Sequence, residues 1–485
     1  MPHRCTPLLL VALAAGPSAL RAQTSDSITA ADVRRRIAWL ASDALRGRGT
    51  PSAGLEQAAR YAAAEFRRLG LRPAGDSGYL QRYTLVRSQF VAESSTVSIL
   101  GPAPRRWRVG RDAYWLPSSG VAAREISGHP VVLVGVPSDS LHAFTGTDVR
   151  GAVLIQLADD RPDRPGTPMW LLRAAANAGA VAAILVRNLP PEQFRASMAD
   201  LATPRLVRPG AESFAPFPVL QMQDATLGAY LAEIGIAAAG NRPVPDTVER
   251  IVIPETTVRL HLVERVLARR TAPNILAVLP GSDSAAGTEY VTLGAHIDAL
   301  GVGRKLGGDS IYNGADDDAS GTAAVLEAAE ALAHGPRPRR SVLFALFSGT
   351  EHGFWGSEYY VSRPTVPLAR IVAFLNVESI SRNMPDSLAV LGKTRSWLGA
   401  AADSAAARHP ELGLTVTGDL WPREDYFAQS DQQMFAQHDV PSLFFFNGVH
   451  GALHAPWDDI RVVNVESTTR IIRYLTELTR ELANP

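Results

Sequence analysis

The second half of the chain alternates between continuous apolar runs and segments with helical periodicity. The apolar runs predict buried strands at 275–279, 290–294, 341–347, 371–377 and 441–446. Helical periodicity predicts helices at about 320–334, 395–407 and 464–482. Continuous apolar strands that are separated by helices indicate a largely parallel sheet with helices on both faces. We therefore predict an α/β fold for this part of the chain.

The first hundred residues predict two amphipathic helices. The first begins with a capping-box-like pair, Thr29 and Asp32, which is followed by apolar residues on one helical face. The second covers 54–69, and Gly70 then stands where a left-handed residue commonly ends a helix.

Residues 116–250 have a different pattern of predicted secondary structure. Strand-like runs at 130–136, 152–156 and 180–186 accompany a helical pattern at 169–179. His129 and His142 are isolated from each other and from any carboxylate cluster, so we interpret them as surface or structural histidines. The region is predicted to be a β-rich inserted domain without chemistry of its own.

Composition and charge narrow the class of protein. Of 485 residues, 46% are hydrophobic and 20% are charged, which is typical of a soluble globular protein of several domains. The 48 basic residues balance 48 acidic ones, whereas nucleic-acid-binding proteins usually carry a basic excess. We expect no nucleic-acid partner and no membrane span.

The first 22 residues have the pattern of an export signal. Arg4 gives a positive start, and Leu8 to Ala15 form an apolar run that is too short to span a bilayer. Cleavage near Ala22 would remove Cys5, the only cysteine, and leave no disulfide or thiol nucleophile. The chain is therefore predicted to be exported, to the periplasm or the extracellular space.

Side chains that bind metals follow the ends of the predicted strands. These side chains are His296 and Asp298, Glu351, Glu378, and His450 and His454, and a further acidic loop covers 316–318. Ligands of open α/β sheets bind beyond the carboxyl ends of the strands. Imidazole and carboxylate groups suit Zn²⁺, and several carboxylates with two histidines suit a pair of ions that share one carboxylate.

Four sequence blocks carry a specific resemblance: 294–298, 312–321, 344–357 and 450–458. They resemble the signature blocks of the co-catalytic zinc aminopeptidase family, which includes bacterial leucyl aminopeptidases, glutamate carboxypeptidases and glutaminyl cyclases. The resemblance covers roughly 30–115 and 255–485, and 40–49 is similar to the usual start of its members. Residues 116–250 resemble a protease-associated domain.

The resemblance implies a zinc exopeptidase fold: a mostly parallel sheet sandwiched by helices, with an inserted β-rich protease-associated domain. The implied domains are a signal peptide at 1–22, the first part of the catalytic domain at 23–115, the insert at 116–250 and the rest of the catalytic domain at 251–485.

The resemblance also implies a set of ligands for two zinc ions. His296, Asp317 and Glu378 would hold one ion, and Asp317, Glu351 and His454 would hold the other. Asp317 would bridge the two, with Asp316 as its nearest rival. Asp298 would orient His296 through the second imidazole N–H.

One departure bears directly on catalysis. Thr350 stands where the family keeps the Glu that acts as general base, a contribution worth roughly 10²–10⁴-fold. A shift of register that makes Glu351 the base and His352 the ligand is opposed by Gly353 and the glycine after Trp355. Asp298 and Thr350 thus occupy the two predicted catalytic positions.

Other departures point the same way. Glu378 replaces an Asp, Leu453 replaces a common Tyr, and Gln432 replaces the His of a Ser-Asp-His block. His450 and Glu424 lie in neighbouring loops and are candidates for a substitute base.

The first hypothesis is therefore an exported, zinc-dependent exopeptidase that acts on peptides. The second is a metal-binding, catalytically weak or inactive relative that binds peptides, and the third is a glutaminyl-cyclase-like transferase. A serine hydrolase is disfavoured because no Gly-x-Ser-x-Gly turn follows a predicted strand.

Overall fold

The computed structural model describes residues 27–116, 124–137, 143–157, 167, 169–201, 203–210, 217–236 and 248–485. The predicted export signal, with Cys5, and His142 lie outside these residues. The chain divides into two compact units. The first unit comprises Met1–Leu80, Asn274–Phe347 and Thr365–Pro485, and the second unit comprises Gln81–Pro273 and Ser348–Pro364.

The strands of the described residues are β1 (Arg72–Pro73), β2 (Leu80–Phe90), β3 (Thr96–Leu100), β4 (Arg105–Arg108), β5 (Ala113–Trp115), β6 (Arg124–Val134), β7 (Ala152–Leu157), β8 (Ala182–Arg187), β9 (Arg205–Val207), β10 (Val219–Gln223), β11 (Glu249–Val252), β12 (Thr257–Leu262), β13 (Glu264–Leu279), β14 (Tyr290–His296), β15 (Gly301–Leu306), β16 (Asp309–Tyr312), β17 (Ser341–Phe347), β18 (Ile371–Glu378), β19 (Ser387–Leu391), β20 (Thr415–Thr417) and β21 (Ser442–Phe446).

The α-helices are α1 (Ala30–Leu40), α2 (Ala53–Arg68), α3 (Met169–Asn177), α4 (Pro191–Leu201), α5 (Ala229–Glu233), α6 (Gly321–His334), α7 (Trp355–Ser362), α8 (Leu398–Arg408), α9 (Gln432–Ala436) and α10 (Val465–Leu482). Among the described residues, no helix combines the length and the apolar character that crossing a membrane requires.

The sheet of the first unit has the strand order β20-β19-β21-β18-β14-β17-β13, and β1 also pairs with β13. Its centre is parallel, because β14 runs parallel to β17 and β18, and β18 runs parallel to β21. The flanking pairs β13–β17 and β19–β21 are antiparallel. The α/β prediction is therefore confirmed, with a mixed sheet whose parallel centre consists of the predicted apolar strands.

The predicted helices of the first unit are present. Thr29 caps α1, since its hydroxyl accepts the backbone N–H of Asp32 at 3.2 Å. Gly70 follows α2 with a φ of +69°, a left-handed conformation that glycine adopts without steric cost. Arg36 of α1 is buried and forms an ion pair of 2.7 Å with Glu330 of α6, which joins two helices that cover the sheet.

The second unit contains a separate sheet with the strand order β4-β3-β12-β6-β7-β8-β10-β5, and β11 also pairs with β6. The pairs β6–β7, β7–β8 and β8–β10 are parallel, whereas β3, β4 and β12 add antiparallel. Buried side chains of both parts form a common apolar core. The compact unit is wider than the predicted insert at 116–250, whose boundaries as a domain stay a prediction.

Candidate metal centre

Three predicted ligands meet at the carboxyl ends of adjacent parallel strands. His296 is the last residue of β14, Glu378 is the last residue of β18, and Asp317 comes from the loop before α6. The Nε2 atom of His296 lies 3.0 Å from Asp317 Oδ1 and 3.7 Å from Glu378 Oε2. One ligand atom from each residue lies within 4.8 Å of the others, so a single metal ion can contact all three.

The carboxylate of Asp317 contacts two imidazoles. Its Oδ1 faces His296, and its Oδ2 lies 2.9 Å from Nε2 of His454, a residue with a φ of +56° in the loop after β21. Burial alone would raise the pKa of Asp317, but the contacts with both histidines outweigh it and hold the pKa below its usual value. A carboxylate between two imidazoles has the arrangement that a bridging ligand needs.

Asp316, the rival for the bridging position, points elsewhere. Its Oδ1 accepts the backbone N–H of Ser381 at 2.7 Å, and its Oδ2 lies 2.8 Å from Nε2 of His450. The other ring nitrogen of His450, Nδ1, accepts the backbone N–H of Ala452 at 3.1 Å. Both nitrogens of His450 are therefore engaged, which disfavours this residue as a substitute base.

Asp298 lies beside the ring nitrogen of His296 that points away from Asp317, which is the position expected of an orienting residue. The Nδ1 atom of His296 lies 3.1 Å from the backbone oxygen of Asp298 and 3.6 Å from its carboxylate Oδ1. The Oδ2 atom of Asp298 accepts a hydrogen bond of 2.7 Å from Thr50. A proton on Nδ1 would satisfy the nearer backbone oxygen and leave Nε2 as the nitrogen that a metal ion beside Asp317 can take as a ligand.

Asp318 was missed by the sequence reasoning. Its Oδ2 accepts the backbone N–H of His296 at 3.1 Å, and its Oδ1 accepts the backbone N–H groups of Gly321 at 2.9 Å and Ser379 at 3.3 Å. It thereby ties the ends of β14 and β18 to the start of α6. Burial raises its pKa well above the usual value. The run of three acids directly before a helix was the available signal.

Asp458 was also missed, although it closes the last signature block. Its two carboxylate oxygens accept the backbone N–H groups of Asp316 at 3.0 Å and Asp317 at 3.1 Å. Burial and the negative charge of Asp316 raise its pKa to about 7. Asp458 therefore fixes the backbone of the loop that carries the candidate bridging ligand.

Arg48 is a third residue that the sequence reasoning did not single out. It is fully buried, and its guanidinium donates to the backbone oxygens of Ile297 at 2.8 Å, Asn313 at 2.8 Å and Gly314 at 3.0 Å, and also to that of Leu40. Desolvation lowers its pKa to about 10. Because it holds the end of β14 and the start of the acidic loop together, it fixes the frame of the candidate ligands.

The charge around these residues fits a bound cation. The buried carboxylates of the centre are Asp298, Asp316, Asp317, Asp318 and Asp458, and Glu378 lies beside them. Arg48 and His296 supply little positive charge against them, and buried charges are costly unless paired. Burial, together with the nearby Asp317, raises the pKa of Glu378 to about 7. The nitrogen and oxygen donors fit zinc, whose charge would offset this excess.

Glu378 is held by the block that replaces Ser-Asp-His. The hydroxyl of Ser430 donates to Oε2 of Glu378, and Asn376 donates to Ser430 at 3.0 Å and to the side-chain oxygen of Gln432 at 2.7 Å. Gln432 thus supports Ser430 through Asn376. Glu424, the other candidate for a substitute base, is exposed.

Thr350 and Glu351 belong to the second unit and form a short turn, Thr350–His352, directly after β17. Gly349 precedes this turn with a φ of +75°, and a Cβ there would lie 2.6 Å from the hydroxyl oxygen of Tyr83. The ring of His352 stacks on Trp355, with 4.8 Å between centroids. This packing supports Glu351 rather than His352 as the ligand position.

Comparison with known proteins identifies related chains. Residues 274–479 match Peptidase family M28. A probable leucine aminopeptidase of Arthroderma otae is 27% identical over 209 residues, which are 41% of this chain and 54% of that protein. The probable lipoprotein aminopeptidase LpqL of Mycobacterium tuberculosis is 25% identical over 330 residues, 65% of this chain and 56% of that protein.

A solved structure extends the likeness to the fold of the chain. The aminopeptidase from Aneurinibacillus sp. strain AM-1 aligns over 96% of both chains with a TM-score of 0.51 and 18% sequence identity. This match shows a common fold. The chain spans about half the length of the curated relatives described above.

Proposed function

Since residues 274–479 match Peptidase family M28, we propose that this chain is a zinc-dependent exopeptidase of the aminopeptidase type with a two-metal site. The observation that carries the proposal is the carboxylate of Asp317, which lies between His296 at 3.0 Å and His454 at 2.9 Å. One carboxylate with an imidazole on each oxygen suits two ions that share a ligand. The substrate class is peptides.

The proposed ligands form two groups. His296, Asp317 and Glu378 hold one zinc ion, and Asp317, His454 and Glu351 hold the other. Chain connectivity supports Glu351, which follows the end of β17 by four residues and is therefore within about 14 Å of it. Phe347, the last residue of β17, is the register partner of His296.

Bound zinc supplies Lewis-acid activation of a water molecule and of the scissile carbonyl group. The protein residues supply position. Asp298 fixes the orientation of His296, and Asp458 holds the backbone of Asp317. A carboxylate general base at position 350 is missing, since Thr350 cannot accept a proton near neutral pH. We therefore expect slower turnover than in a peptidase with the same metal site and a Glu at this position.

A second candidate function is metal-dependent peptide binding with weak or no hydrolysis. Thr350 and the engagement of both His450 nitrogens favour it. A glutaminyl-cyclase-like transferase ranks below both, because such a site normally relies on the Glu that Thr350 replaces.

We also propose that the chain is exported and that 116–250 form an inserted protease-associated domain. The export-signal pattern of residues 1–22 supports the first point, and a related protein that is named a lipoprotein aminopeptidase is consistent with it. The strand-rich composition of the region supports the second point.

The test is hydrolysis of aminoacyl arylamides and dipeptides, measured with zinc and with a chelator. Chelator-sensitive release of a terminal residue would support the exopeptidase. No turnover across a broad panel, together with about two zinc ions bound per chain, would instead favour the peptide-binding alternative.

A further inference from the structure

One exposed face of the second unit concentrates positive charge. Arg106 and Arg108 of β4 and Arg259 of β12 are exposed, whereas Trp107 and Val258 on the opposite face of the same strands are buried. Side chains alternate between the two faces of a strand, so the three arginines share the outer face. None of these three arginines was a candidate site residue in the sequence.

The strand register sets the spacing of these cations. Ser98 of β3 lies opposite Arg106 on one side and opposite Arg259 on the other. Neighbouring strands are about 4.8 Å apart, so the two arginine Cα atoms stand roughly 10 Å apart across a serine. Two residues along, Thr96 lies between Arg108 and His261 in the same way. Basic side chains thus flank a floor of small hydroxyl residues.

The charge of the central pair is not neutralised within the described residues. Neither Arg106 nor Arg259 lies within ion-pair distance of a carboxylate there. Glu125, the acid of this face, contacts Nδ1 of His261, and Arg105 at the rim is paired with Glu233 at 2.7 Å. The guanidinium groups of Arg106 and Arg259 are consequently available to a ligand.

A depression of about 680 Å³ covers this face. Its lining includes Ser98, Leu100, Arg106, Arg259 and His261. The volume is far larger than a single inorganic ion needs and falls within the range of sites for larger ligands. The described lining contains no Phe, Tyr or Trp on which nucleotide bases could stack, and the whole chain has no basic excess.

We propose that this arginine face binds an acidic peptide segment in an extended conformation. Alternate side chains of an extended peptide are about 6.8 Å apart. Arg106 and Arg108, which are two residues apart on β4, have the same spacing. Guanidinium groups bind carboxylates through paired, charge-assisted hydrogen bonds, and the serine and threonine hydroxyls accept or donate beside them. The site is independent of the proposed metal centre and of peptide hydrolysis.

The experiment measures fluorescence anisotropy with the full chain in its zinc-loaded form. The probe is a short labelled peptide of alternating Glu and Ser, blocked at both ends, and the control peptide carries Gln in place of Glu. We expect the Glu peptide to bind at least about tenfold more tightly than the Gln peptide, and we expect its affinity to fall when salt is raised.

Variants locate the binding to this face. The double variant Arg106→Gln/Arg259→Gln should lower the affinity for the Glu peptide by about fivefold or more, as the loss of two ion pairs predicts. Arg195→Gln, which changes an exposed arginine of α4 outside the depression, should leave the affinity unchanged. Arg106→Lys/Arg259→Lys should retain part of the affinity, because charge remains while the paired hydrogen bonds are lost.

Equal affinity for the Glu and Gln peptides would overturn the proposal, and this comparison needs no variant. Unchanged binding by a folded double Gln variant would overturn it as well. Tighter binding of a single-stranded oligonucleotide or of phosphatidylserine vesicles than of the Glu peptide, lost in the same variant, would assign the face to that anion instead.

Discussion

The carboxylate of Asp316 and the imidazole of His450 face each other at 2.8 Å in the interior, on a side of the acidic loop that does not carry the candidate ligands. The contact explains why these two residues from signature blocks are absent from the candidate metal-binding group of the first unit. It also separates a stabilising role for His450 from the catalytic role that its position in the sequence suggested.

We expect His450→Ala to lower the free energy of unfolding by roughly 1–3 kcal/mol, because Asp316 loses a donor and the N–H of Ala452 loses an acceptor. Urea unfolding measures this, with His438→Ala as the control on an exposed histidine. If His450 were the base, the variant would instead lose turnover at unchanged stability.

Asp317 is expected to control both metal ions. Asp317→Ala should reduce bound zinc from about two ions per chain to less than one, whereas Asp419→Ala, at an exposed acid, should leave the content unchanged. Elemental analysis of the dialysed protein measures the ratio. Retention of both ions by the Asp317 variant would contradict the bridging assignment.

Restoring a carboxylate at position 350 is expected to raise catalysis. Thr350→Glu should increase kcat on an aminoacyl arylamide by roughly 10²–10⁴-fold, the usual contribution of a positioned general base. Thr350→Gln is the matched control, since it has nearly the same shape and cannot accept the proton. A similar gain in both variants would attribute the effect to side-chain size instead.

Arg48 is expected to be among the most costly residues to replace. Arg48→Met should lower the free energy of unfolding by about 3–5 kcal/mol, because it removes a buried charge from surrounding carboxylates and frees several backbone oxygens. Arg46→Met, at an exposed arginine two residues away, should change it by less than about 1 kcal/mol. Chemical denaturation of the zinc-loaded protein compares the two variants.

The raised pKa of Asp458 predicts a pH effect on the metal-free protein. The folded carboxyl, with a pKa of about 7, keeps its proton between pH 4 and 7, while the unfolded carboxyl has released it. Asp458 therefore favours folding at low pH, and this contribution is lost as the pH rises through about 7. With a chelator present, unfolding free energies at pH 5 and pH 8 should differ less in Asp458→Asn than in the unchanged protein.

The sequence predicted five adjacent strands of the first unit, β21, β18, β14, β17 and the end of β13, because they are continuous apolar runs. The same pattern predicted the meeting of His296, Asp317, Glu378 and His454, since carboxyl ends of parallel strands share one edge; their metal-binding role stays a prediction. Asp458 and Arg48 escaped it because each acts on backbone groups from distant parts of the chain, whereas the signal for Asp318 was the acidic run directly before α6. Such contacts have no local periodicity or spacing.

The compact second unit was equally hard to delimit. Its strands β3, β4 and β12 are short and none of them is buried along its whole length, so they lack the continuous apolar runs of the first unit. The order of these strands joins segments more than a hundred residues apart. The predicted insert at 116–250 contains the parallel strands of this unit and does not contain these antiparallel strands, and its boundaries as a domain stay a prediction.

The three consecutive aspartates at 316–318 are chemically identical, yet each contacts different neighbours because its side chain points in a different direction. Asp316 faces Ser381 and His450, Asp317 faces the two imidazoles, and Asp318 faces backbone N–H groups. Deleting any one of them would leave two aspartates whose side chains point in different directions and therefore face the wrong partners. In this loop, the position of each aspartate along the backbone therefore matters as much as its chemical identity.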